Sequence, residues 1–341
     1  MKLLFLGGTG IISTACTALA LQRGHVVTVL NRGNRPIASG AESLLADLDD
    51  DNAVKVALGD RHWDVVLDFM SFTPAQIEQR LAWFGGRCGQ FVFISSASAY
   101  QKPPAHYLIT EETPLDNPFW QYSRDKAACE DRLLRAHADD QFPATIIRPS
   151  LTFGDTQVTL PFNSWHRSYT AVHRLRTGQP VIIPGDGRTL WTITHNSDFA
   201  KGLLGLIGRE DTLGEAFHIT SDEVLTWNQY HDIVAEVAGV THPEFVHIPA
   251  DFIGACLPDE APGLIGDKLA STVFDNSKLK RFVPDYAATT RFREGITRTL
   301  AWFDADPDRQ LISEEENTNC DRLIAAWRAG FAHGVELFSE S

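Results

Sequence analysis

Leu6-Gly7-Gly8-Thr9-Gly10-Ile11-Ile12-Ser13 carries the strongest structural signal in the chain. It follows an apolar run, Lys2–Leu6, that reads as a buried strand, and it leads into a helix-period segment over Ser13–Arg23. Glycines between a strand and a helix permit a tight turn. They also let backbone amides approach a pyrophosphate at the helix N-terminus, where the helix dipole favours negative charge. A bare glycine pattern is weak; the flanking strand and helix give it weight. The last small position of the pattern is Ser13 in place of glycine, which allows close helix–strand packing less freely.

Outward from this turn, short β-branched apolar runs alternate with helix-period segments. Val26–Leu30, Val65–Phe69, Phe91–Ser95 and Thr145–Arg148 read as further strands. Ala53–Leu58, Pro74–Phe84 and Ser123–Ala138 read as helices. Strands that are continuously apolar are buried on both faces, so the pattern predicts an α/β fold, a Rossmann-like doubly wound parallel sheet. From about Leu151 the rhythm breaks, with prolines and aromatics rising. A strand over Leu190–Thr194, a helix over Ser197–Ile207 and a strand near Ala216–Thr220 follow. Thr226 reads as the N-cap of a helix to Ala238, and Arg291–Phe303 and Asp321–Ala329 as later helices. The expected organisation is a dinucleotide-binding domain over 1–165, rejoined by 187–222, and a smaller mixed substrate lobe over 166–186 and 223–341.

Composition narrows the function classes. The 341 residues are 43% hydrophobic and 22% charged, ordinary for a folded chain. A formal net charge of −14 repels phosphate backbones and anionic lipid, so neither nucleic acid nor a membrane is the expected partner. Five scattered cysteines, without a C-x-x-C pair, suit reduced thiols and a cytoplasmic protein. Twelve histidines form no H-x-x-x-H pattern, so no metal site is expected. No apolar run approaches membrane-spanning length.

Two further motifs carry chemistry. The strand ending at Ile94 runs into Ser95-Ser96-Ala97-Ser98-Ala99-Tyr100, at the carboxyl edge where open α/β sheets bind ligands. Tyr122-Ser123-Arg124-Asp125-Lys126 is a Y-x-x-x-K whose ends share one helix face. A phenol titrates near pH 10 and is a poor base at neutrality unless positive charge stabilises its anion. An ammonium one turn away supplies that charge, and a serine hydroxyl orients the substrate oxygen. At the end of the second strand a dinucleotide fold that prefers NAD carries an acid for the ribose hydroxyls. Here that place holds Asn31, followed by Arg32 with Arg35 nearby. Those arginines are either a clamp for a 2′-phosphate or solvated loop charges.

Together these stretches make the chain resemble an extended member of the short-chain dehydrogenase/reductase family, in its NAD-dependent epimerase/dehydratase branch. The likeness covers roughly residues 1–305. It rests on Gly7-Gly8-x-Gly10-Ile11-Ile12, Ser95-Ser96-x-Ser98-x-Tyr100, Glu112-Thr113-Pro114-Leu115, Tyr122-x-x-x-Lys126, Arg148-Pro149-x-x-x-Phe153-Gly154 and His195-x-x-Asp198-Phe199-Ala200. The resemblance implies Ser96, Tyr122 and Lys126 as catalytic residues, Lys126 also bonding the nicotinamide ribose. It implies cofactor contacts from Gly7, Gly8, Gly10, Ile11, Ile12, Asn31, Arg32, Arg35, Asp47, Leu48, Phe69, Met70, Ser71 and Pro149. NADP is slightly preferred over NAD because Asn31 removes a repelling carboxylate.

The implied activity is an NAD(P)-dependent oxidoreductase or epimerase on a carbohydrate-like substrate. A nucleotide-sugar epimerase of UDP-hexose type and a non-catalytic NADP-binding sensor are the alternatives. A dehydratase carries an Asp-Glu pair directly after the catalytic Ser/Thr; here those positions are Ala97 and Ser98. Sugar-nucleotide enzymes of the branch resemble one another in an arginine at the position of Trp191, so Ser98, Arg188, Trp191 and Lys268 are the expected substrate contacts. Acidity counts against a role like that of the plastid RNA-binding relatives that share Asn31-Arg32-Gly33. The resemblance also suggests a homodimer through the Tyr122 helix.

Overall fold

The computed structural model describes residues 1–339, which divide into two compact units. Unit 1 comprises Met1–Gly154, Thr192–Asp222 and Phe274–Thr290; unit 2 comprises Asp155–Trp191, Glu223–Val273 and residues 291–339.

Unit 1 is built on seven strands: β1 (Lys2–Leu6), β2 (Val26–Asn31), β3 (Glu42–Leu45), β4 (Trp63–Asp68), β5 (Cys88–Ile94), β6 (Ala144–Pro149) and β7 (Ala216–Ile219). Every ladder is parallel, and the order is 3-2-1-4-5-6-7. Period-2 alternation sends the strand residues to two cores. Leu3, Phe5, Val27, Val29, Val65, Leu67 and Val92 pack on one face with Cys16 and Ala20 of helix α1 (Ile11–Gln22) and with Phe199 and Leu203 of the Asn196–Leu206 helix. Leu4, Leu6, Leu30, Val66, Phe91 and Phe93 pack on the other with α2 (Asp51–Leu58), α3 (Pro74–Phe84) and α4 (Gln121–Asp140). Helices on both faces require strands apolar on both faces, which is why the runs read as continuous. The order reverses between β1 and β4, so the crevice at their carboxyl ends is the ligand position of this architecture.

Local signals place the helix starts. Asp50 caps α2 by accepting from the Ala53 amide at 3.0 Å. Pro74 opens α3 behind Thr73, and Gln76 Oε1 receives the amides of Phe72 (2.7 Å) and Thr73 (3.2 Å). That bond also fixes the loop after β4.

Unit 2 holds its own core around Ile182, Ile248, Ile253, Leu264, Leu323 and Ile324. Val181–Pro184 and Phe245–Ile248 pair in parallel there, and Glu314–Ser339 is its longest helix. Among the described residues no helix is long and apolar enough to cross a membrane.

The unit boundaries differ from those expected at 165 and 187. The chain leaves unit 1 at Gly154 because 155–165 bonds forward: Ser168 Oγ accepts the Val158 amide at 3.0 Å, and Gln157 donates to the Trp165 carbonyl. Phe274–Thr290, expected in the substrate lobe, belongs to unit 1. Asn276 Nδ2 donates to the Thr220 carbonyl and the Tyr286 hydroxyl donates to the same oxygen, both beyond the end of β7. The single strand expected over Leu190–Thr194 is two. Leu190–Trp191 pairs antiparallel with Leu225–Thr226 in unit 2, and Ile193–His195 pairs parallel with Leu151–Phe153 in unit 1.

Candidate active site

Three loops at the carboxyl ends of β1, β4 and β5, together with the start of α4, form the candidate site in unit 1.

The first loop is the glycine turn. Gly7 and Gly8 adopt φ of +105° and +75°, a region that side chains rarely occupy. A Cβ on Gly8 would lie 2.7 Å from Val29 Cγ1 of β2, and one on Gly7 would lie 3.0 Å from Met70 Cγ. The turn is therefore sterically sealed to larger residues, and α1 presents its first-turn amides there with no acidic side chain in that turn. Ser13, the departure from the glycine pattern, is buried; its Oγ accepts the Gly10 amide at 2.9 Å and stabilises the turn from within. The residues present fit a dinucleotide pyrophosphate. Asn31 is occupied in building the next turn, its Oδ1 accepting the Gly33 amide at 2.8 Å. Arg32 and Arg35 are both exposed, and Arg35 Nη1 reaches the Thr9 carbonyl of the glycine turn at 3.5 Å. Asp47 is exposed with Oδ1 on the Asp49 amide, and Leu48 is buried in the core beneath.

The second loop follows β4. Phe69 stacks on Phe5, Met70 is exposed, and Ser71 is fully buried. Asp68 Oδ1 accepts the amides of Met70 (2.8 Å) and Ser71 (3.1 Å), and Oδ2 accepts the Ser71 hydroxyl.

The third loop follows β5. Ser96 is half-buried, and its Oγ lies 2.9 Å from Ser98 Oγ. Ser98 is buried and in turn receives the Ser123 hydroxyl at 2.9 Å, while Asn117 Nδ2 donates to its carbonyl at 2.7 Å. The three serines form one hydroxyl chain from the β5 loop to α4. Pro149, at the end of β6, is buried.

Helix α4 delivers Tyr122 and Lys126 one turn apart. Lys126 is 2% exposed; its Nζ donates to the carbonyls of Ser71 (2.7 Å) and Ile94 (2.8 Å) and lies 4.7 Å from the ring centroids of Phe72 and Phe93. Its Nζ is 5.8 Å from the Tyr122 centroid. Burial pushes the Lys126 ammonium down to about 8, opposed by the Asp68 carboxylate. Tyr122 is flanked by Trp120 at 4.9 Å and Phe72 at 6.4 Å between centroids.

Behind these groups, Arg148 and Glu130 form a buried bidentate pair, Nη2 to Oε2 at 2.7 Å and Nε to Oε1 at 3.1 Å. Arg148 also donates to the Tyr100 hydroxyl and the Glu111 carbonyl, both at 3.1 Å, and Ser95 donates to Glu130. This network pins α4 one turn beyond Lys126. His195 is buried, edge-on to Phe153, and caps the Asn196–Leu206 helix through the Ser197 amide.

The expected substrate contacts Arg188, Trp191 and Lys268 all lie in unit 2. Arg188 is exposed. Trp191 is 2% exposed and stacks on Trp227 at 5.5 Å, and Lys268 pairs with Asp267, its Nζ 5.8 Å from the Trp191 centroid. Sequence reading passed over Asp68, Arg80, Asn117 and Ser123. Ser123 lies inside the Y-x-x-x-K and Asp68 closes the apolar run Val65-Val66-Leu67, signals that could have found them; Arg80 and Asn117 lie in no motif.

Comparison with known proteins agrees with this architecture. The NAD dependent epimerase/dehydratase family profile matches residues 3–220. The chain is 28% identical over 267 residues to the chloroplast stem-loop binding protein of 41 kDa b of Arabidopsis thaliana, covering 74% of this chain and 67% of that one. It is 25% identical over 292 residues to the 2'-dehydrokanamycin reductase of Streptomyces kanamyceticus, covering 84% and 80%. Among solved structures it shares its fold with the epimerase Mth375 of Methanothermobacter thermautotrophicus, at TM-score 0.74 and 20% identity over 90% of this chain and 93% of that one. It shares it also with the UDP-glucose 4-epimerase of Thermotoga maritima, at 0.71 and 17% over 89% and 99%. With the profile spanning more than half of its length, the chain belongs to the NAD dependent epimerase/dehydratase family.

Proposed function

We propose that this protein is an NAD(P)-dependent oxidoreductase or epimerase acting on a sugar-derived substrate, with Ser96, Tyr122 and Lys126 as catalytic residues. The observation that carries the reading is the placement of Lys126: a buried ammonium held by two carbonyls, one helical turn from Tyr122, at the carboxyl edge of β5.

In this reading Tyr122 takes the proton from the substrate hydroxyl during oxidation and returns it during reduction. Ser96 donates to the same substrate oxygen and orients it, its own hydroxyl steadied by the chain through Ser98 and Ser123. The Lys126 charge stabilises the Tyr122 anion. Two of its three N–H groups are committed to carbonyls, and the third serves the ribose contact. Bound nicotinamide supplies hydride acceptance and return. Arg32 and Arg35 favour a 2′-phosphate, Arg35 through its reach to the glycine turn, so NADP(H) is the preferred cofactor.

The substrate is proposed to be a small sugar or polyol derivative, with Ser98 of unit 1 among its contacts. Where nucleotide-sugar enzymes resemble one another in an arginine that grips a diphosphate with paired donors, this chain has Trp191. Lys268 is already paired with Asp267, which leaves Arg188 as the cation for such a grip. A relative named as a reductase, aligned over most of both chains, supports the oxidoreductase reading. Cytoplasmic location and a homodimer through α4 complete the proposal. A thermal-shift and turnover screen setting UDP-, GDP- and dTDP-sugars against free sugars and their oxidised derivatives, with cofactor present, tests the substrate class. Turnover confined to the free sugars is expected. Micromolar binding and turnover of a UDP-sugar, lost in Arg188→Ala, overturns it and leaves nucleotide-sugar epimerisation.

A further inference from the structure

Asp68 closes β4 with no exposed surface, in register with Leu6 of β1 and Phe93 of β5. A carboxylate so placed needs partners, and here they form a chain that ends on Lys126. Its two oxygens hold the Met70 and Ser71 amides and the Ser71 hydroxyl, which folds the loop back. That fold turns the Ser71 carbonyl onto Lys126 Nζ at 2.7 Å. On the other side lies Arg80 of α3, itself buried, with Nε 3.5 Å from Asp68 Oδ2. Arg80 Nη1 donates to Gln79, and its guanidinium lies 4.4 Å from the Trp83 centroid. Arg80 Nε and Nη2 have no hydrogen-bond acceptor, so its charge balance rests on Asp68.

One buried carboxylate thus stands between two buried cations. We propose that Asp68 is a positioning residue for Lys126: through the Ser71 turn it places the carbonyl that receives the ammonium, and through its charge, shared with Arg80, it keeps that ammonium protonated. This rests on the role given to Lys126 above and extends it to two residues outside the catalytic motifs.

The other groups around Lys126 do not substitute. Phe72 and Phe93 offer ring faces only. On its own helix, the Cys129 thiol is pushed up to about 12 by burial and is neutral across the working range. Glu130 pushes in the same direction as Asp68 but less strongly and is held in its own ion pair with Arg148, and Tyr122 is the group that the ammonium serves.

The test follows the Lys126 titration by NMR in full-length protein carrying lysine labelled at Cε, the resonance being assigned by its loss in Lys126→Met. In Asp68→Asn the amide acceptor survives but the charge is gone. The Lys126 midpoint should fall by about one pH unit or more, a tenfold or greater loss of proton affinity. In Arg80→Met the competing cation is gone, and the midpoint should rise. A purely structural turn would leave the midpoint where it is in both variants; opposite movements require charge sharing. Asp68→Asn strands the Arg80 charge and risks unfolding, so Asp68→Asn/Arg80→Met is compared with Arg80→Met, and a lower midpoint in the double variant is expected. Asp68→Glu should restore it in part. An unchanged midpoint in Asp68→Asn, or equal midpoints in the double and single variants, overturns the proposal. The titration requires neither substrate nor cofactor, so it stands or falls separately from the Tyr122 chemistry.

Discussion

Replacing Tyr122 with Phe should reduce turnover by roughly 10²–10⁴-fold while leaving the fold and cofactor affinity nearly unchanged. The expectation follows from what the hydroxyl is and what surrounds it. Phe keeps the ring that packs against Trp120 and Phe72. Only the hydroxyl proposed to exchange a proton with the substrate is removed. Lys126 keeps both carbonyl bonds, because neither runs through Tyr122. Steady-state kinetics on the substrate found by the screen measures the loss, and circular dichroism and a nucleotide titration measure what is retained. Full turnover in Tyr122→Phe removes Tyr122 from the mechanism.

Breaking the ion pair behind the site should have the largest effect on stability. Arg148→Met leaves Glu130, 1% exposed, with the Ser95 hydroxyl and no ion-pair partner. Removing one partner of a buried pair costs about 3–5 kcal/mol, because the remaining charge stays in a medium that solvates it poorly. Urea denaturation should show that loss. Adding Glu130→Gln to Arg148→Met should recover part of the loss by removing the charge. A cost below about 1 kcal/mol in the single variant would mean that water reaches Glu130 and that the pair does not anchor α4.

The sheet was legible in the sequence because burial on both faces writes itself as unbroken apolar runs, and β1, β2, β4, β5 and β6 all carry that mark. β3 was not, since in Glu42-Ser43-Leu44-Leu45 only Leu44 is buried, as befits an edge strand. The division at Thr192 was also hidden. Local propensity over Leu190–Thr194 is uniformly strand-like, and only long-range pairing with Leu225–Thr226 on one side and Leu151–Phe153 on the other divides it. The motif residues of the site announced themselves by spacing. What spacing cannot show is which buried polar groups face each other: Asp68 and Arg80 are 12 positions apart, and Glu130 and Arg148 18. Each reads alone as an ordinary charged residue, and only the packed structure turns them into partners.

The central claim is that unit 1 binds a nicotinamide dinucleotide at the glycine turn and brings it to Lys126. Calorimetric titration of the purified chain with NADP and NAD, beside Arg32→Ala and Lys126→Met, measures this without knowledge of the substrate. The account predicts that NADP binds at least as tightly as NAD, that Arg32→Ala weakens NADP selectively, and that Lys126→Met weakens both. Absence of binding by either dinucleotide, or unaltered affinity in Lys126→Met, would contradict it.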